Sequence, residues 1–147
     1  TSLFAIWLFG LEEKKLYIWR FLILAILSYA SFAGPQKVLI SFSMPEKLLE
    51  ATLKDCERLQ IPAILNGLYQ DSMPATMNKI AEYVSLIPEL SIQIDPTLFE
   101  RYEVNQVPAV IWEEKDCADI VYGNQTLDFM LEKIKNHGAC QQEVSHV

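Results

Sequence analysis

The chain predicts an α/β domain built on a central mixed sheet with helices on both faces. Three observations carry this reading. Residues 38–42, 62–65, 91–94, 110–112 and 120–122 are short apolar runs of strand length. Between most of them lie longer stretches with apolar residues three and four apart, the spacing of one helix face. The resulting order, βαβαβαββα, implies parallel pairing where a helix intervenes and one antiparallel hairpin where none does.

Each element has its own signal. The run 38–42 leads into Ser43-Met44-Pro45-Glu46, which has the form of a capping box, Ser at the N-cap and Glu three residues on. A helix to about Gln60 follows, striped by Leu49, Leu53, Cys56 and Leu59. Asn66-Gly67 ends the second strand. Asp71 or Ser72 caps a helix with the stripe Met73, Met77, Ile80, Val84 and Ile87. Asp95-Pro96 reads as an N-cap followed by Pro at the first helical position, with Leu98, Phe99 and Tyr102 turned to the core. The acidic stretch 113–119 is a solvated hairpin turn. Gly123-Asn124 breaks the chain, Leu127, Met130, Leu131 and Ile134 stripe a final helix, and Gly138 lies past its end.

This order is a thioredoxin-like arrangement. In that frame the start of the first helix, Phe42-Ser43-Met44-Pro45, meets the Val107-Pro108 step that heads a later strand, with Pro108 expected as a cis-proline. Thiol-disulfide exchange at that point requires a thiolate of lowered pKa at the helix N-terminus and a resolving partner. No Cys-x-x-Cys occurs in the chain, and Cys56 lies about three turns further along. A thiol-disulfide oxidoreductase, or a disulfide-handling chaperone of thioredoxin type, is therefore the alternative reading. Ser41 or Ser43 as a nucleophile would need an adjacent base, and the two histidines, His137 and His146, are C-terminal. Asp71 and Asp95 read as helix caps, and the acidic turn lacks calcium-loop spacing. The expectation is a protein that is not an enzyme, with no catalytic residue, cofactor or metal. Phe42, Ser43, Met44, Pro45, Val107 and Pro108 would form an apolar, inert groove for an extended segment of a partner. With Met44 on the groove surface, an Asp at that position is expected to cost binding and spare the fold.

Residues 16–33, with Lys14, Lys15 and Arg20 as the basic region, read as a Sec-type signal peptide, with Ser31 and Ala33 placed for cleavage before Gly34. An uncleaved anchor is the alternative, and would be the protein's one link to the membrane. The sequence starts at Thr1, and residues 1–15 read as an uncertain extension, either an over-extended frame with a start near Leu16 or a separate membrane segment. The domain itself is residues 34–147, with 141–147 expected to be loose. An exported chain can oxidise its cysteines. Cys56 lies on an apolar stripe, Cys117 in the hairpin turn and Cys140 past the last helix, so Cys117–Cys140 is the expected disulfide, with three reduced thiols as the alternative. Without residues 1–33 the chain keeps nine basic against seventeen acidic residues, a formal charge of −8. That argues against phosphate-driven nucleic-acid binding and attraction to anionic lipid, and it favours a protein partner with a basic face.

Several blocks in order resemble a known family. They are Ser41-Phe42-Ser43-Met44-Pro45, Ile61-Pro62-Ala63 with Asn66-Gly67-Leu68, Gln93-Ile94-Asp95-Pro96-Thr97-Leu98-Phe99, Val107-Pro108-Ala109, and Gly123 ahead of Leu131-Glu132-Lys133-Ile134. Together they are similar to TrbC of F-type conjugation systems over about residues 37–142. Cys140 is similar to a C-terminal cysteine of that family. The resemblance implies a periplasmic, thioredoxin-like protein needed to assemble the conjugative pilus of a type IV secretion system, acting beside a TraW-like partner and other secretion components. There are departures. Only Gly34-Pro35-Gln36 separates the signal from the first strand, Asn66 stands where a basic residue is expected, and Cys117 sits later in its hairpin than the family's strand cysteine.

Overall fold

A strand whose every side chain is apolar must be covered on both faces, and that places residues 38–40 at the centre of the sheet. In the computed structural model, which describes residues 35–115 and 117–140, Val38, Leu39 and Ile40 are fully buried in β1 (Gln36–Ile40). The expected signal 16–33, the extension 1–15 and the tail 141–147 lie outside the described residues.

The remaining elements follow in the order the sequence predicts. They are α1 (Glu46–Leu59), β2 (Ala63–Leu65), α2 (Met73–Leu86), β3 (Ile92–Ile94), α3 (Pro96–Arg101), β4 (Ala109–Glu114), β5 (Cys117–Tyr122) and α4 (Leu127–His137), with a single 3-10 turn at Tyr69–Asp71 before α2. The sheet order is β3-β2-β1-β4-β5. β1 is parallel to β2 and β2 to β3, whereas β4 runs antiparallel to both β1 and β5. The sheet is mixed, as the element order requires.

Alternation along the strands sends side chains to two cores. Val38, Ile40, Ala63, Leu65 and Val110 face α1, α2 and α4, meeting Leu49, Leu53, Tyr83, Leu127, Met130 and Ile134. Leu39, Ile64, Ala109 and Ile111 face α3, meeting Leu98 and Phe99. Each fully buried Leu or Ile contributes about 1.5–3 kcal/mol relative to exposure. Asp55 ties α1 to α4 by accepting the Leu127 N–H (3.2 Å), and Arg58 bridges Asp55 and Asp128. Among the described residues no helix is long and apolar enough to cross a membrane.

Three local expectations are corrected. The capping box does not form: Pro45 occupies the N-cap of α1 without a side-chain cap, because the Ser43 hydroxyl is turned to Ser41 Oγ (2.8 Å). Cys117 is the first residue of β5, paired with Glu114, and not part of the turn. The α2 stripe is displaced. Met73 and Met77 are exposed, and the buried positions are Thr76, Tyr83 and, at the helix end, Ile87. Ser72, not Asp71, caps α2, accepting the Ala75 N–H at 3.3 Å.

Candidate functional site

At Ile40 the chain leaves the sheet, and two serines fix the path it takes into α1. Ser41 Oγ accepts the Ser43 N–H (3.2 Å), and the Ser41 carbonyl accepts the Met44 N–H (3.1 Å). Pro45 has no N–H to leave unpaired, so the helix can open there at no hydrogen-bond cost. The turn sets Phe42 between Tyr69, edge-on at 5.7 Å between centroids, and Tyr83, stacked at 6.3 Å. Such ring pairs add to the burial energy and hold the ring in place.

The opposite wall comes from the end of β2. Asn66 N–H donates to the Ile40 carbonyl (3.1 Å), and Gly67 takes φ +73°, the left-handed region that glycine enters without steric cost. The chain then rises through Leu68, Tyr69 and Gln70. Between the walls is a cleft of about 240 Å³ lined by Ser41, Phe42, Ser43, Leu65, Asn66, Gly67, Leu68, Tyr69 and Gln70. It lies at the carboxyl ends of two parallel strands, where open α/β sheets bind ligands.

Of the residues singled out from sequence, Phe42 and Ser43 line this cleft. Pro45 is exposed at the start of α1 and does not line the cleft. The Val107–Pro108 bond is cis, and Pro108 is buried. The β1–β4 ladder ends at the Leu39–Ala109 pair, one residue after Pro108. Neither Val107 nor Pro108 is among the lining residues. Met44 corrects an expectation: it is only 7% exposed and packs in the larger core. A carboxylate there would enter the core, so an Asp cannot be assumed to spare the fold. Leu68, Tyr69 and Gln70 were missed from sequence. Their one signal was Asn66-Gly67, which reads as the end of a strand and here also turns the chain back over the cleft.

The chemistry of the lining is narrow. No carboxylate, amine, imidazole or thiol lines the cleft; it offers hydroxyls, side-chain amides and an aromatic floor. Cys56, the free cysteine, is buried on α1, and burial, followed by the negative charge of Asp55, pushes its thiol up to about 12. Cys117 and Cys140 are joined in a disulfide. Beside it, the Asp119 carboxylate accepts the N–H groups of Ala139 (2.9 Å) and Cys140 (3.1 Å). Among the described residues no group of His, Cys, Asp and Glu is placed to hold a metal ion.

Fold and cleft together define a class: a mixed-sheet α/β domain with a neutral cleft at the carboxyl ends of its parallel strands. Residues 38–134 match the family of type-F conjugative transfer system pilin assembly proteins, and the chain belongs to that family. It is 35% identical over 107 residues to the periplasmic protein TrbC of Escherichia coli (strain K12), an alignment covering 73% of this chain and 50% of that protein. The chain thus spans about half the length of the curated relative it matches. No solved structure matches it.

Proposed function

We propose that the chain is a thioredoxin-like, non-enzymatic assembly factor of a type-F conjugative pilus, working in the periplasm and holding a segment of a TraW-like partner in the cleft between Ser43 and Leu68. Family membership supports the assembly role, and the periplasmic relative supports the compartment. The sheet order, with α1 following β1 and Val107–Pro108 leading into the neighbouring β4, supports the thioredoxin-like reading.

The observation that carries the non-enzymatic reading is at the α1 N-terminus. Thiol-disulfide exchange would need an accessible thiolate there. Ser43, Met44 and Pro45 occupy the place instead, and the free thiol, Cys56, is buried and held protonated far above neutral pH. What remains is recognition. Hydroxyl and amide groups can pair with the backbone of an extended peptide, and Phe42 with its two tyrosines offers an apolar floor.

Two assays test this. Insulin reduction by the purified protein is expected to stay at background; turnover above it overturns the non-enzymatic reading. Affinity capture of the exported protein from the periplasm of a conjugation-competent host is expected to recover a TraW-like component. Recovery of the intact protein with no conjugation component overturns the partner assignment.

A further inference from the structure

The two strands at the margins of the sheet are guarded unequally. β3 is three residues long, and so short an edge offers little for another chain to pair with. β5 is six residues long and pairs with β4 without a bulge, from Glu114↔Cys117 to Ala109↔Tyr122. From Cys117 to Tyr122 it holds no lysine and no proline, the residues that blunt such an edge.

The hydrogen-bond phase decides which groups face outward. In an antiparallel ladder every second pair exchanges main-chain bonds. The Gly123 N–H donates to the Pro108 carbonyl (3.2 Å), which makes Pro108 and Gly123 a bonded pair. The Glu113 N–H donates to the Pro35 carbonyl (2.8 Å), away from β5. By that alternation Cys117, Asp119 and Val121 bond to β4, whereas Ala118, Ile120 and Tyr122 turn their N–H and C=O groups to the open side. Among the described residues none takes up those groups. The side chains of the same three residues share one face of the sheet. Ala118 and Ile120 pack only partly against the smaller core, and Tyr122 is exposed.

We propose that the β5 edge takes up an extended segment of another protein as an added strand. Its main chain pairs with Ala118, Ile120 and Tyr122, and apolar side chains at alternate positions cover Ile120 and Tyr122. A row of free N–H and C=O groups at strand spacing is matched by the backbone of another strand, so the surface itself sets the form of its occupant. A second copy of this chain is the disfavoured occupant. It brings the same acidic excess over residues 34–147. Two-fold pairing about Ile120 would also set the two Asp119 carboxylates on one face as diagonal neighbours. The site does not depend on the cleft, because β4 separates β5 from β1.

Amide hydrogen exchange followed by NMR on the purified protein tests this. The free protein is expected to exchange the Ala118, Ile120 and Tyr122 amides quickly and those of Asp119 and Val121 slowly. The probe is a short peptide of alternating threonine and valine with a lysine at each end. At saturation it is expected to slow the three outward amides at least ~10-fold, and the same peptide with a central proline is expected to leave them unchanged. Ala118→Pro removes an outward N–H and no ladder bond, a change that edge strands accept, and is expected to lose the peptide. Tyr122→Lys alters an exposed position, so it decides the matter even where Ala118→Pro fails to fold. It is expected to weaken the peptide at least ~10-fold with an unchanged melt. Outward amides already slow in the free protein, undiminished binding by a folded Tyr122→Lys variant, or protection confined to Asn66–Gln70 on the cleft wall overturns the inference. A dimer in sedimentation that Tyr122→Lys dissolves assigns the edge to a second copy and overturns it likewise.

Discussion

Met44 shows how one residue's burial changes the meaning of its position. From sequence it stands at the start of a helix, where a carboxylate would be favoured by the helix dipole. Packed in the larger core and 7% exposed, it cannot be replaced so cheaply. Met44→Asp is expected to lower unfolding free energy by about 2–4 kcal/mol, the cost of an unpaired carboxylate in an apolar site. Urea unfolding followed by circular dichroism measures it; an unchanged midpoint would mean the side chain turns out to water. The same scale explains the failed capping box. The pattern Ser-x-x-Glu is legible at Ser43 and Glu46, but the competing hydrogen bonds to Ser41 are local geometry that spacing does not encode. At Asp95-Pro96 the cap does form: the carboxylate accepts the Thr97 N–H at 3.0 Å, and the Thr97 hydroxyl donates to the same oxygen without displacing it.

Among the elements, the end of α4 is fastened to β5 twice, by the Cys117–Cys140 bond and by Asp119. A cross-link between residues 23 apart in sequence stabilises by about 3 kcal/mol in the chain-entropy view. The variant C117S/C140S is expected to unfold more easily by that amount while keeping its secondary structure; an unchanged denaturation midpoint would show that Asp119 alone suffices. A second tie joins β1, β4 and α3. Glu113 accepts from Lys37, from Tyr102 Oη (2.6 Å) and from Arg101 (3.3 Å). These bonds, the one from Lys37 foremost, hold its carboxyl below the usual range. A folded pKa below the unfolded one gives stability that is full above the unfolded value, about 4.3, and is lost as pH falls through the folded value. Glu113→Gln is expected to be less stable than the parent at pH 7 and to show a shallower loss of melting temperature below about pH 4. An equally steep acid limb in the variant would assign that limb to other carboxylates. Helix α2 is where element-level reading failed. Met73 and Met77 fit the apolar period, but Thr76 and Tyr83 are buried instead, because Thr76 finds both hydrogen-bond partners inside. Hydrophobic spacing cannot see a polar side chain that is satisfied locally.

At the scale of the whole molecule, β1 organises everything. Its amino end carries the Lys37–Glu113 network, and its carboxyl end opens into the cleft. The mixed sheet was legible because parallel pairing follows from βαβ alternation and the closing hairpin from two adjacent strands, whereas the antiparallel β1–β4 pairing that completes the sheet does not follow from element order. The cleft was legible on one side only. Phe42 and Ser43 come from a motif, whereas Leu68, Tyr69 and Gln70 reach the site through the turn at Gly67 and the Thr76 tie, which exist only once β2 and α2 are packed. The proposed binding of the partner in this cleft is open to a direct measurement. Ser43 is exposed and lines the cleft, so Ser43→Arg fills the space and brings a positive charge without touching the core. Titration calorimetry with the TraW-like partner, beside a thermal melt, tests the claim directly. Affinity is expected to fall at least ~10-fold, roughly 1.4 kcal/mol or more, with the melting temperature unchanged; undiminished affinity in a folded variant would place the partner elsewhere.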